Sequence, residues 1–245
     1  SYWDLEVMAV PDMEDIDPSK VICITSNMDA EGNLRWDAPE GDWTICRIGY
    51  APTMSMPHPV PDELSGKAFE VDKFSRKHNE YHWDQVLEPL VEHLQPYIGV
   101  SFDHILVDSY EAGIQNWTDD FREKFIEAKG YDPLPWLALE KVYGADCEAV
   151  QAYQEDNAGF ISDLFVNVAW ATAREKINAA GLQFYIEPYD YMNQFDVYES
   201  ACQADVPMVE FWHNGDGWIN GDVVRAAKDS GKKIVAVEAF TGRPE

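Results

Sequence analysis

Basic residues are scarce in this chain. Its 245 residues include 18 Lys and Arg against 45 Asp and Glu, which gives a formal net charge of −27. A nucleic-acid partner needs Lys and Arg to displace counterions from phosphates, and anionic lipid surfaces attract basic patches. The composition therefore argues against both partners. Because 46% of the residues are hydrophobic and 26% are charged, it indicates a globular core rather than a disordered polyanion.

Cysteine, long apolar runs and the common nucleotide and hydrolase motifs are also lacking. The four cysteines are widely spaced without a CxxC pair, which excludes zinc-finger and thioredoxin sites. Two interpretations stay open, a Cys23–Cys46 disulfide across a hairpin or four buried thiols. No apolar stretch approaches the roughly 18 residues of a membrane span. GxGxxG, GxxxxGK[ST], GxSxG and HExxH are all absent.

The first 60 residues have the pattern of an antiparallel β unit. Short β-favouring runs at residues 21–25, 34–36 and 43–50 are separated by clusters of Asp, Asn, Gly and Pro, which are typical of turns. Three prolines within residues 57–61 predict a loop over residues 51–66. We therefore predict a β-rich segment over residues 1–60 and a second region over residues 61–245.

Helical and strand patterns alternate in the second region. This alternation predicts an α/β fold with a parallel sheet and right-handed crossovers. The predicted helices are 74–97, 117–129 with Thr118 as N-cap, 133–143, 147–180 and 222–230, and the predicted strands are 104–108, 182–187, 206–212 and 234–240.

Carboxylates follow each predicted strand at its C-terminal end, where parallel α/β proteins form their active sites. A buried Glu in an apolar strand is costly unless it is paired, coordinated or catalytic. A single such Glu could form a structural ion pair, but four on one rim exceed the basic residues nearby. We therefore predict a catalytic or sugar-binding floor that contains Asp108, Glu111, Glu187, Glu210 and Glu238.

Aromatic residues lie close to these carboxylates along the chain. Sugar C–H faces stack on aromatic rings while hydroxyl groups donate to Asp, Glu and Asn, so the mixture favours a carbohydrate ligand. Hydrolysis of a glycosidic bond needs two carboxyl groups, one acid and one base or nucleophile. Several of the aromatic residues can instead belong to the core; the set is Tyr110, Trp117, Tyr185, Tyr189, Tyr191, Phe211, Trp212, Trp218 and Phe240.

Several blocks of the sequence resemble glycoside hydrolase family 106. The blocks are residues 70–75 (EVDKFS), 108–118 (DSYEAGIQNWT) with Phe121 and Arg122, 130–132 (GYD), 187–189 (EPY), 204–212 (ADVPMVEFW) and 237–241 (VEAFT). The resemblance implies an α-L-rhamnosidase, mostly bacterial, inverting and calcium-dependent, which acts on plant polysaccharides and glycosides in the periplasm or after secretion. It also implies a (β/α)8 TIM-barrel-like fold, here incomplete, with strands that resemble the third to the seventh of such a barrel.

The resemblance also implies roles for individual residues. Glu111 and Glu238 occupy positions that (β/α)8 glycosidases give to the general acid and to the base that activates water, although the roles could be reversed and Glu210 is a rival for either. An inverting mechanism requires their carboxyl groups to be about 6.5–9.5 Å apart. Calcium is expected at Glu187 and Glu210. The expected substrate-binding residues are Asp108, Glu187, Glu210, Trp212 and His213.

Three functional hypotheses follow. The chain is part of an inverting α-L-rhamnosidase, a non-catalytic carbohydrate-binding remnant of such an enzyme, or a metal-dependent hydrolase of another ester or amide. The scarcity of paired histidines makes the third the weakest.

Overall fold

The structure is a computed structural model that describes residues 2–57, 60–212 and 219–240. The chain forms two compact units. The first unit contains Ser1–Thr53 and Asp119–Phe160, and the second contains Met54–Thr118 and Ile161–Glu245. None of the helices in the described ranges combines the length and apolar character that a membrane-spanning helix needs.

The first unit contains a three-stranded antiparallel sheet in the order β2-β1-β3. The strands are β1 (Trp3–Pro11), β2 (Ile22–Cys23) and β3 (Trp43–Tyr50). The predicted antiparallel unit is confirmed, but its central strand, β1, was not predicted. The predicted strand at residues 34–36 is wrong, since Leu34 forms only an isolated bridge with Met28.

Met8 of β1 pairs with Cys23 on one side and with Cys46 on the other. A strand therefore lies between the two cysteines, and both are free thiols. The disulfide interpretation is wrong, and so is that of four buried thiols, because Cys23 is exposed and the other three cysteines are partly exposed.

The helices of the first unit pack around aromatic rings. They are α2 (Phe121–Lys129), α3 (Pro133–Tyr143) and most of α4 (Glu148–Leu164). Phe125 is fully buried, and its ring contacts those of Tyr131 and Phe160 at centroid distances of 5.3 Å. Helix α2 begins two residues later than the Thr118 cap predicts, after Asp120. The Thr118 hydroxyl instead donates a hydrogen bond to Asp72 at 2.6 Å, and both residues belong to the second unit.

The second unit contains a four-stranded parallel sheet in the sequential order β4-β5-β6-β7. Its strands are β4 (His104–Val107), β5 (Gln183–Ile186), β6 (Val206–Trp212) and β7 (Ala236–Phe240), and its helices are α1 (Arg76–Leu94), α5 (Ala171–Ala179), α6 (Val197–Gln203) and α7 (Gly221–Asp229). The predicted mixed α/β fold with a parallel sheet is confirmed, whereas the described residues do not form a complete barrel. Helix α6 was not predicted.

A π-helical segment, Phe165–Trp170, interrupts the long helix that was predicted over residues 147–180. Such segments insert an extra residue into a turn and occur often near functional sites. Phe165 is fully buried, and its ring lies 5.2 Å from those of Phe74 and Tyr110, centroid to centroid. The segment therefore supports Tyr110, the residue that directly precedes Glu111.

Candidate active site

The register of the parallel sheet places the carboxylates in two neighbouring pairs. Val107 pairs with Ile186, and the Glu187 N–H donates to the Val107 carbonyl at 3.0 Å, so Asp108 and Glu187 follow β4 and β5 in step. On the other two strands, Glu210 pairs directly with Glu238. Asp108 and Glu187 therefore directly follow β4 and β5, as predicted, whereas Glu210 and Glu238 lie within β6 and β7.

Three of these carboxylates form a cluster. Asp108, Glu187 and Glu238 each offer one oxygen, and the three oxygens lie within 4.8 Å of one another. The Asp108 side chain is exposed, Glu238 is partly buried and Glu187 is buried. We call these residues the rim cluster. Like charges at this distance repel, so the cluster favours protonation or a bound cation.

Glu187 is the most buried member of the rim cluster. Its residue exposure is only 4%, and its Oε1 has no hydrogen-bond partner. Burial, reinforced by Glu238, Asp108 and Glu210, raises the pKa of Glu187 to about 8. Burial also raises the pKa of Glu238, with Asp108 and Glu210 adding to the effect. A buried, unpartnered carboxyl oxygen is expensive, which indicates a site where a proton, a cation or a ligand is handled.

Glu111 lies outside the rim cluster, on the loop after β4. Its side chain is exposed, and Oε1 accepts a hydrogen bond from the Ser109 hydroxyl at 2.8 Å. It lines an open pocket of about 580 Å³ together with Met56, Val60 and Tyr191. The charge of Glu111 reaches Glu238 and contributes to the raised pKa of that residue. The two predicted catalytic residues therefore occupy different surroundings on the same rim.

A smaller cavity of about 100 Å³ lies between the loop that follows β5 and the strand β6. Glu187 and Glu210 both line it, with Tyr189, Asp190 and Asn193 on the β5 side. Glu210 therefore belongs to the wall beside the rim cluster, and it is the cross-strand neighbour of Glu238.

The predicted aromatic residues divide into core and exposed groups. Tyr110 is buried against Phe165, and the Tyr185 ring stacks on His104 at a centroid distance of 4.1 Å. Tyr189 and Tyr191 are 37% and 49% exposed, and they line the smaller and the larger cavity respectively. These two tyrosines can stack on a sugar, whereas Tyr110 serves the core.

Two predicted sugar-binding residues remain predictions. The backbone of Trp212 ends β6, but its side chain is not described, and His213 lies outside the described residues.

Sequence analysis missed a set of polar residues behind the rim. Asp190 is 6% exposed, and its carboxylate accepts hydrogen bonds from the N–H groups of Met192 and Gln194 at 2.8 and 2.7 Å. Gln115 is also buried, and its amide donates to Asp72. An Asp whose carboxylate accepts from the N–H groups two and four residues later is a turn signal, and this pattern could have identified Asp190. No local pattern identifies the partners of Gln115.

Carboxylates and exposed tyrosines at the carboxyl ends of parallel strands define a candidate site of the glycoside hydrolase class. The family comparison agrees. The family described as alpha-L-rhamnosidase matches residues 1–245, and the chain belongs to this family, glycoside hydrolase family 106. The resemblance inferred from the sequence blocks is therefore confirmed.

Two similar proteins are much longer than this chain. A protein of Formosa agariphila named "Putative beta-glucuronidase" is 32% identical over 236 residues, which cover 95% of this chain and 20% of that protein. A solved structure of a rhamnosidase from Novosphingobium sp. PP1Y is 26% identical with a TM-score of 0.75, and the match covers 91% of this chain and 23% of that one. The chain thus spans about a fifth of each relative's length.

Proposed function

We propose that this chain carries the acid and base carboxyl groups of a glycosidase that hydrolyses terminal α-L-rhamnosides with inversion. The observation that carries the proposal is the rim cluster, with Glu111 on the adjacent open pocket. We also infer that the sequential parallel strands form part of a (β/α)8 barrel, in which the strand ends hold the catalytic residues. A periplasmic or secreted location in a bacterium stays a prediction from the family.

Glu238 is proposed as the base. Partial burial and the neighbouring carboxylates raise its pKa, which strengthens it as a proton acceptor. It takes a proton from the attacking water, whose oxygen bonds to the anomeric carbon. Glu111 is proposed as the acid that donates a proton to the departing glycosidic oxygen. Its pocket is open and large enough for a leaving group.

The remaining rim residues are proposed to hold the sugar. Asp108, Glu187 and Glu210 offer carboxylate oxygens to sugar hydroxyl groups, and Tyr189 offers an exposed aromatic face. Trp212 and His213 are kept as sugar contacts on the basis of the sequence alone.

The rim cluster has the chemistry of a calcium site. Hard cations prefer carboxylate oxygens, and the unpartnered buried Oε1 of Glu187 is a free ligand atom beside two further carboxylates. We propose that Glu187 holds calcium with Asp108 as a neighbour, and that Glu210 is the second ligand expected from the sequence. Bound calcium would offset the repulsion between the carboxylates and orient adjacent sugar hydroxyl groups.

A neutral sugar fits this rim better than a uronic acid. The two cavities present Glu111, Glu187, Asp190 and Glu210, and no Lys or Arg is among their described lining residues. Among the protein side chains, a glucuronide carboxylate would meet like charges without a basic partner. We therefore favour a rhamnoside, despite the name of the Formosa relative.

The test is hydrolysis of an aryl α-L-rhamnoside, with an aryl β-D-glucuronide as the competing substrate, in calcium and in chelator. We expect Glu111→Gln and Glu238→Gln to lower kcat by about 10²–10⁴-fold, the usual contribution of general acid–base catalysis. Glu88→Gln, an exposed substitution on α1, is the matched control. NMR of the first-formed sugar should show the inverted anomer. A retained anomer would overturn the inverting mechanism, and binding without turnover would favour the carbohydrate-binding remnant.

A further inference from the structure

The loop that carries Glu111 has no regular structure of its own. Residues 109–118 connect β4 to the segment before α2 without a helix or strand. Such a loop would normally sample several conformations, and a general acid must be held within a narrow range of positions to be effective. The loop must therefore be fixed by contacts from elsewhere.

The Gln194 side chain supplies two of these contacts. Its Oε1 accepts a hydrogen bond from the Gln115 N–H at 2.8 Å, and its Nε2 donates to the Gly113 carbonyl at 3.0 Å. One side-chain amide thus satisfies an acceptor and a donor on alternate residues, as a neighbouring strand would. The two bonds are made two and four residues after Glu111.

Gln194 is itself held in place by Asp190. The carboxylate Oδ2 of Asp190 accepts from the Gln194 backbone N–H at 2.7 Å and from its Nε2 at 3.2 Å. Close to Glu111 on the other side, the Tyr110 N–H donates to the Tyr189 carbonyl at 2.8 Å. The loops after β4 and β5 are therefore joined on both sides of Glu111.

The far end of the Glu111 loop has a separate anchor. Gln115 accepts a hydrogen bond from the Lys73 N–H at 3.0 Å, and its amide donates to Asp72 Oδ1 at 2.5 Å. Asp72 Oδ2 accepts from the Thr118 hydroxyl. This anchor fixes the end of the loop but not the span between Glu111 and Gln115, which only Gln194 bridges among the bonds described here.

We propose that Gln194 is a positioning residue for Glu111, and that its two hydrogen bonds to Gly113 and Gln115 hold the acid in line with the leaving-group oxygen. This inference rests on the acid role proposed above for Glu111. The position requires an amide, because a carboxylate cannot donate to the Gly113 carbonyl and would repel Asp190, while an apolar side chain makes neither bond.

The test compares two aryl rhamnosides in the native protein. A 2,4-dinitrophenyl leaving group departs without protonation, whereas a phenyl leaving group needs the acid. A residue that positions the acid should matter only for the second substrate. We expect Gln194→Leu to lower kcat for the phenyl substrate at least tenfold more than for the dinitrophenyl substrate. Gln194→Glu, which keeps the acceptor oxygen, should lie between Gln194→Leu and the unmodified protein.

Two reference variants make the result decisive. Glu111→Gln gives the leaving-group dependence that results from loss of the acid. Gln183→Ala, exposed at the opposite end of β5, should lower both rates equally or not at all. If Glu111→Gln shows no dependence on the leaving group, the acid role fails. Thermal melting shows whether the two Gln194 variants are folded. If Glu111→Gln shows the dependence on the leaving group but both folded Gln194 variants do not, the positioning role of Gln194 is overturned.

Discussion

The acidic residues around Arg122 and those of the rim cluster have opposite surroundings. In the first unit, Arg122 Nη1 lies 2.7 Å from Glu6 Oε1, and its Nε and Nη2 lie 3.1 and 2.5 Å from the two carboxylate oxygens of Asp132. In the second unit, the rim cluster brings three carboxylates together. None of the three forms an ion pair with a Lys or Arg in the described part of the chain.

The pKa values shift in opposite directions as a result. Hydrogen bonds from Arg47 lower the pKa of Asp4, and those from Lys129 and Tyr131 lower the pKa of Asp156, all in the first unit. Burial and like charges raise the pKa of Glu187 and Glu238 on the rim. Paired acids stabilise a fold, whereas unpaired acids are available to bind and to transfer protons.

The comparison is tested most strongly by removing the cation from the paired group. Arg122→Met leaves Glu6 and Asp132 partly buried and unpaired, and we expect the free energy of unfolding to fall by about 2–4 kcal/mol. Chemical denaturation measures this change. Arg122→Lys, which keeps the charge but loses the planar fork, should recover part of it.

Arg76 provides a matched control for Arg122. It also bridges two carboxylates, Glu80 and Glu175, but all three side chains are more than 40% exposed. We expect Arg76→Met to cost less than about 1 kcal/mol. Equal losses for the two arginine variants would contradict the view that burial makes the Arg122 group important.

Calcium should stabilise the protein through the rim cluster and not through the Arg122 group. At about 100 times its dissociation constant, calcium should raise the free energy of unfolding by about 2.7 kcal/mol, because it binds the folded rim and not the unfolded chain. Thermal melting with calcium and with chelator measures the effect. Glu187→Gln should abolish most of it, and an unchanged calcium response in this variant would exclude Glu187 as a ligand.

Glu187→Gln should separate activity from stability. We expect kcat/KM to fall by about 10–100-fold, the usual cost of disturbing a metal site. Without calcium, the free energy of unfolding should stay equal or rise, because the amide removes a buried acid and can donate to Asp108 or Glu238. A marked loss of stability in chelator would show that Glu187 is structural.

Acid unfolding should give the smallest effect. The lowered pKa values of Asp4 and Asp156 mean that their stabilising contribution is present above the ordinary value of 3.8 and is lost as the pH falls through the folded-state value. Asp4→Asn and Asp156→Asn should make the first unit less sensitive to acid. The shape of the acid-unfolding curve below pH 4 is the measurement, and an unchanged curve would count against these pairs.

Local patterns predicted much of the fold. The predicted strands at 43–50 and 206–212 coincide with β3 and β6, and the predicted helix at 133–143 coincides with α3. The misses have physical reasons. β1 is buried on both faces in its second half, so the period-two alternation of a half-exposed strand is absent there. Thr118 does not cap α2, because its hydroxyl binds Asp72, which lies 46 residues earlier.

The sequence predicted which strands carry the carboxylates, but not which carboxylates contact one another. Asp108 and Glu187 directly follow β4 and β5, and Glu210 and Glu238 are partners within β6 and β7, so parallel pairing was enough to bring the four residues near one another. Which of them meet depends on strand register and side-chain burial, and these are long-range properties. For the same reason, Gln194 could not be recognised from sequence, because its partners lie 79 and 81 residues away.

The strand register has a consequence for the lengths of homologous sequences. Glu210 and Glu238 lie side by side on neighbouring strands because β6 and β7 pair in register, and successive side chains of a strand point to opposite faces. Deleting one residue of β7 before Glu238 would turn the Glu238 side chain to the opposite face of the sheet. In alignments of homologous sequences, gaps should therefore avoid the four strands β4, β5, β6 and β7 and occur in the helices and loops that connect them. The number of residues in each strand therefore determines which carboxylates lie together at the candidate site.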